Sequence, residues 1–263
     1  MTITAKDVQA LRQATGVGMM DAKKALEAND GDMAAATQWL RVQGLASAAK
    51  RADREAGEGA VSVVRDGNVA AIVEVKCETD FVAKSDEFVS LVDEIAARVA
   101  AEGEGAVAQF QPEIETMLTT LKENISIGRV HRLVAGEGEV VDTYIHQQSG
   151  RGVIAVAVVL KGGSEELAHE ICVHIAFAKP LYLKRDDVPG AEVEAERKTV
   201  EEISRNEGKP EAALPKIIEG RLNGWFKERV LLEQSYVKDE KQSIESFLKG
   251  ASIVAYAQVV VGG

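Results

Sequence analysis

The sequence predicts an α+β fold on three observations. Three short helical segments precede residue 54, a strand–turn–strand–helix order occurs twice, and two heptad-spaced apolar stretches are inserted in the second occurrence. At 263 residues, 46% of them apolar, the chain can form one large domain or two to three small ones. We divide it into a three-helix module (1–54), a first core unit (55–138) and a second core unit (139–263), with the helical insertion at about 190–232. Each core unit is expected to be a small three-stranded antiparallel sheet backed by helices.

In the module, Thr4 and Asp7 form a capping-box pattern ahead of Val8 and Leu11, which share a face. Thr15-Gly16-Val17-Gly18 breaks the first helix. The second runs from about Met20 to Ala28 and stops at Asn29-Asp30-Gly31. Asp32 caps the third, with Met33, Ala36 and Leu40 turned inward and Gly44 near its end. The glycines read as a loop between helices, since no strand precedes them and a dinucleotide fingerprint needs one. Met19 and Met20 are either core or an adaptable apolar contact for a partner.

Periodicity stops between Lys50 and Gly59, which reads as a linker or a fraying helix end and leaves the module mobile relative to the rest. Charge divides there too. Residues 1–54 carry eight basic and six acidic side chains, whereas the remainder carries 23 and 36.

The first repeat is a strand from Gly59 to Val64, a turn at Arg65-Asp66-Gly67-Asn68, a strand from Val69 to Cys77, and a helix with Phe88, Val92, Ile95 and Val99 on one stripe. The second is Glu139 to Ile145, a turn at Gln147–Gly150, Val153 to Leu160, and a helix from Ser164 to Ala178. Each closes with a helical turn before a last strand: Leu118–Glu123 before Ile125–Val134, and Ile244–Lys249 before Ser252–Val261. In the insertion, Val193, Val200 and Ile203 form one apolar seam and Leu214, Ile218, Leu222 and Trp225 the other, separated by Asn206–Pro210. That predicts an antiparallel coiled-coil hairpin that projects from the body as a docking or dimerisation arm.

The composition excludes much. A net charge of −11 disfavours a nucleic-acid clamp or an anionic membrane surface. Two cysteines, Cys77 and Cys172, make neither a disulfide framework nor a multi-thiolate zinc site. The opening residues lack the basic and apolar regions of a signal peptide, and no apolar run reaches membrane-spanning length. A reduced, cytoplasmic protein is expected. No phosphate-cradling Gly-x-x-x-x-Gly-Lys-Ser/Thr and no nucleophile elbow occur. Of the four histidines only His169 and His174 are close, and a five-residue spacing makes a poor zinc pair. No catalytic residue, metal ligand or cofactor is predicted.

One segment stands apart: Cys77-Glu78-Thr79-Asp80-Phe81-Val82-Ala83-Lys84, between the end of a strand and the start of a helix that Ser85 and Asp86 cap better. Phe81 either folds into the core beside Val82 or, with Asp80, wedges into a partner and disturbs its cation or phosphate contacts.

Several of these segments resemble a known family. Leu11-Arg12-x-x-Thr15-Gly16-x-Gly18-Met19-Met20-Asp21-x-Lys23-Lys24-Ala25-Leu26 is similar to the opening of bacterial elongation factor Ts, and Thr79-Asp80-Phe81-Val82-Ala83-Lys84 to that family's central signature. His174-Ile175-Ala176 followed by Pro180 resembles its second core unit, and Glu219-Gly220-Arg221 its hairpin, so the likeness covers essentially the whole chain. The resemblance implies guanine-nucleotide exchange on elongation factor Tu, a first module similar to ubiquitin-associated domains, and a duplicated core. It implies that Asp80 and Phe81 enter the partner near its magnesium site with Thr79 and Val82 holding the loop. Arg12, Met19 and Met20 would meet the partner's nucleotide-binding domain, and His146, in the second unit's turn region, another part of it. The chain itself would bind no nucleotide. Some family members continue into a C-terminal helical module, whereas this sequence stops at Gly263; contacts made by such a module are then absent, or the sequence is a shortened one. Ala22 stands where some members carry Cys. The rival readings are a passive scaffold that binds helical partners through its first module, and an enzyme whose site carries no recognisable motif.

Overall fold

The computed structural model describes residues 3–49 and 54–263. The linker expected from Lys50 onward therefore begins outside the described residues. Its far end is not linker, because β1 already starts at Glu58. The chain falls into two compact units: residues 1–132, 145–155 and 259–263, and residues 133–144 and 156–258.

The first unit opens with α1 (Ala5–Thr15), α2 (Met19–Ala28) and α3 (Met33–Ala49). Thr4 and Asp7 form the capping box. Gly16 ends α1 at φ +70°, a left-handed conformation that costs glycine little. Val8, Leu11, Ala22, Ala25, Leu26 and Ala36 form the buried cluster, with Trp39 and Leu40 packed at its edge. Asp32 accepts from the N–H groups of Ala34 and Ala35, as an N-cap should.

Two expectations for α3 fail. Met33, at its first position, is 37% exposed, and the broad Trp39 ring covers the cluster instead. Nor does Gly44 terminate the helix. A Cβ there would lie 2.3 Å from Thr119 Cγ2, so the glycine marks a close approach to another element rather than an end.

That element is α6 (Gln111–Leu121), of which the sequence reading caught only the last turn. It follows β1 (Glu58–Asp66), β2 (Val69–Cys77), the single turn α4 (Asp80–Ala83) and α5 (Asp86–Glu102), and precedes β3 (Ser126–Val134). β1 and β2 pair antiparallel around the Asp66-Gly67 turn, and β3 joins on the far side of β2. Central β2 is buried along nearly its whole length, as a strand flanked on both edges should be. Phe88, Leu91, Val92, Ile95 and Val99 of α5 fill one side of the core. The buried Glu74 meets both Nε and Nη2 of Arg129 at 2.9 Å. Burial alone would raise the Glu74 carboxyl, but the guanidinium fork outweighs it and leaves the group below its ordinary value.

The second sheet has the order β4 (Glu139–Gln148), β5 (Arg151–Lys161), β8 (Ser252–Val260), the pattern of the first sheet repeated. α7 (Glu165–Ala178) is capped by Ser164 and buries Ile171, Cys172, His174 and Ile175. The insertion is a helical pair, α8 (Gly190–Asn206) and α9 (Leu214–Arg229). Val200, Leu214, Ile218 and Leu222 are its buried seam. Three predicted members differ. Val193 is half-buried against the neighbouring cluster of Val188, Phe226 and Val230. Ile203 is 44% exposed and Ser204 takes the inner place, where its hydroxyl donates to Val200 O and so hides its polarity. Trp225 is only partly buried, under the Arg229 guanidinium, while Phe226 turns inward. β6 (Ser235–Tyr236), β7 (Asp239–Ser243) and the short α10 (Ile244–Phe247) complete the chain before β8. Among the described residues no helix is long and apolar enough to cross a membrane.

Candidate functional site

The segment singled out in the sequence is not a loop but one turn of helix, and the reason is local. Thr79 sits in extended conformation, and its hydroxyl accepts from Val82 N, so Asp80 and Phe81 become the first two residues of α4. Ser85 then caps α5 by accepting from Phe88 N. Between the two caps, Ala83 is buried and Val82 packs against the core. A turn pinned at both ends and at its inner face has one side left to present, and Phe81 occupies it with 83% of its surface in water. The core reading of Phe81 is thereby overturned.

The clamp on Thr79 comes from a residue that sequence reasoning passed over. Glu123, just beyond α6, accepts from the backbone N–H groups of Glu78 and Thr79 at 3.1 Å each through Oε2, and from the Thr79 hydroxyl at 2.5 Å through Oε1. Glu78 answers by accepting from Asn124 N at 2.7 Å. Two carboxylates thus bind across the junction in opposite directions. The only sequence hint is an acid placed where a helix gives way to a strand, and the separation of 44 residues hides the partnership.

Asp80 is half-buried, with its carboxylate reaching solvent, and meets Lys84 Nζ at 2.5 Å. That bond holds its carboxyl below the ordinary value. Because both groups face solvent, the pair is weak and can be exchanged for another partner. Beneath the turn, the Cys77 thiol donates to Thr79 O, and burial, assisted by the charge of Glu123, pushes it up to about 12. It is a packing residue at neutral pH rather than a nucleophile.

In the first module, Arg12 lies exposed near the end of α1, and Met19 and Met20 open α2 with exposures of 48% and 72%. All three flank the Gly16–Gly18 loop. The methionines are therefore not core, which leaves them available for contact. Ala22, by contrast, is fully buried. His146 is exposed on β4, two residues before its end, rather than in the turn itself. Two further exposed apolar side chains escaped the sequence reading, Phe177 (77%) at the end of α7 and Leu181 (63%) beyond it.

Two of the remaining histidines each have a side-chain partner. His169 meets Asp142 at 2.9 Å, and buried His174 meets Gln234 Oε1 at 3.1 Å. Among the described residues no group of three His, Cys, Asp or Glu side chains could hold a metal ion.

Known proteins resemble this chain over nearly its whole length. The family described as elongation factor TS matches residues 78–263. The elongation factor Ts of Clavibacter michiganensis subsp. michiganensis is 45% identical over 273 aligned positions that take in 98% of each chain. That of Leifsonia xyli subsp. xyli is 44% identical over 99% of each, and that of Kineococcus radiotolerans 41% identical over 95% of this chain and 94% of its own.

Proposed function

The chain belongs to the elongation factor Ts family, a family of translation elongation factors, and we propose that it binds the GTPase elongation factor Tu and drives GDP from it. In this reading the three-helix module (1–54) sets Arg12, Met19 and Met20 on the partner's nucleotide-binding domain. The core unit 55–138 inserts Asp80 and Phe81 beside the magnesium site, with Thr79 and Val82 holding the turn. The unit 139–263, with its hairpin, offers His146 to a second part of the partner. No covalent step and no cofactor of its own is involved.

The observation that supports this reading best is Phe81. Burying a phenylalanine side chain gains about 1.5–3 kcal/mol, and this chain leaves that gain unused on a turn that is otherwise held by hydrogen bonds at Thr79 and by packing of Val82 and Ala83. A partner surface can realise it. Exchange needs no more than differential binding: a protein that prefers the empty GTPase by some factor must weaken nucleotide binding by the same factor. Each tenfold is about 1.4 kcal/mol, so a thousandfold weakening asks for roughly 4 kcal/mol, within reach of a few anchors. Asp80 adds a carboxylate at the place where the partner's phosphate and cation contacts would be disturbed, and its weak bond to Lys84 leaves it free to turn toward them.

Stopped-flow release of a fluorescent GDP from elongation factor Tu, with and without this protein, tests the proposal. Acceleration by orders of magnitude, saturating with concentration, is expected. A passive scaffold would leave the release rate unchanged, and that result would overturn the proposal.

A further inference from the structure

Two of the three surfaces proposed for the partner, the methionine pair of α2 and the Phe81 turn, lie in separate parts of the sequence, yet both are tied to the end of one helix. Consecutive residues at the left-handed end of α6 hold them. Lys122, at φ +60°, reaches Asp21 in the first turn of α2 at 2.9 Å, beside Met19 and Met20. Glu123 holds the Thr79 turn that carries Phe81.

The same helix receives the rest of the module. Thr119 fills the space that a side chain on Gly44 of α3 would need, and Thr120 stands where a Cβ on Gly16 would come within 3.1 Å. Arg41 of α3 meets Glu115 at 3.2 Å. The seat is narrow. A cleft of about 630 Å³, lined by Thr15, Leu40, Arg41, Thr116 and Thr120 among others, opens beside it. The Lys122–Asp21 pair faces solvent and the Arg41–Glu115 pair is only half covered, so each contributes modestly. The close approach of α3 to α6 at Gly44 is the tightest contact of the attachment.

Gly44 is also the wrong residue for helix stability, since alanine in its place favours a helix interior by about 1 kcal/mol. Its use there is explained by Thr119.

We infer that the last turn of α6, Thr119 to Glu123, consists of positioning residues that hold α2 and the Phe81 turn in one fixed arrangement, so that the partner meets a single two-point surface. The inference rests on the proposed function for its consequence, but not for its geometry. Two points on one rigid body bind as an intramolecular pair, and freeing one of them loses that advantage.

The test uses the full-length protein. Nitroxides placed at Met20→Cys and Phe81→Cys read the separation directly, because both sites are exposed and the native Cys77 and Cys172 are buried. One narrow distance distribution is expected. Gly44→Ala should broaden it by unseating α3. Adding Thr119→Gly should restore it, since the nearest remaining atom is the residue 119 Cα at 3.8 Å. Glu123→Ala should broaden it through the other end, whereas Glu123→Gln retains an acceptor for the two backbone N–H groups and keeps it narrow. A distribution already broad in the parent, or one that Gly44→Ala and Glu123→Ala leave narrow, overturns the inference, as does failure of Thr119→Gly to rescue Gly44→Ala.

In the release assay, without labels, Gly44→Ala should raise the half-saturating concentration by about tenfold or more while the maximal rate holds. Glu123→Ala should lower the maximal rate instead. General loss of stability would not produce that split, and a common effect of both variants on both constants contradicts the inference. If the parent itself fails to accelerate release, the proposed function falls while the distance measurements still decide the positioning.

Discussion

At the scale of single residues, the chain spends a large side chain where it stabilises nothing. Phe81 is 83% exposed, so Phe81→Ala should leave the melting temperature and denaturant midpoint unchanged within error, as substitutions away from the core do. The same change should slow stimulated GDP release by about one to two orders of magnitude, given the roughly 1.5–3 kcal/mol a buried phenylalanine contributes. Release as fast as with the parent would remove Phe81 from the account. Histidine 174 is the converse case, a buried polar group with no role at the surface. Gln234 Nε2 donates to Ala178 O and Glu228 O, which turns its oxygen toward His174 Nε2; His174 Nδ1 has no partner among the described residues. Burial therefore holds the imidazole below its ordinary value of 6.5. The unfolded chain then takes up a proton that the folded chain resists, so this contribution to stability is complete above pH 6.5 and is lost as the pH falls below it. Urea midpoints should drop between pH 7.5 and 5.5, and less steeply in His174→Gln. Identical slopes would show that His174 does not titrate against folding. His131 is also held low by burial, so a residual slope is expected.

At the scale of elements, the helical pair α8–α9 rests on four buried apolar residues. Leu222→Ala should destabilise it by about 2–5 kcal/mol, read as lost amide protection across both helices. Ser204→Ala should be within about 0.5 kcal/mol of the parent, since alanine is the better helix former and Val200 O keeps its helical partner. The heptad spacing identified this pair but misjudged its edges at Ile203 and Trp225, because a serine that bonds back to its own helix looks polar in sequence and apolar in the fold. Elsewhere the capping box at Thr4, the Asp66-Gly67 turn and the α5 stripe were legible from neighbouring residues alone. α6 was mostly missed: its inward face is little more than Ile114 and Met117, too sparse to signal a helix. Gly44 misled for a related reason. A glycine reads as a stop, and only the approach of Thr119, 75 positions away, gives it another meaning.

At the scale of the whole molecule, the residues proposed for contact were legible as types and as motif, whereas their support was not. Thr79, Asp80 and Phe81 stand together in the sequence, but Glu123 and Lys122 act across gaps of 44 and 101 residues, and no local pattern records such partnerships. The proposed exchange nevertheless rests on one thermodynamic relation, a competition of this chain and GDP for the same GTPase through coupled rather than shared chemistry. Titration calorimetry of the protein against nucleotide-free elongation factor Tu and against its GDP·Mg²⁺ complex measures that coupling directly. The account predicts markedly tighter binding to the empty form, by the same factor by which the protein weakens GDP binding; equal affinity for the two forms would contradict it.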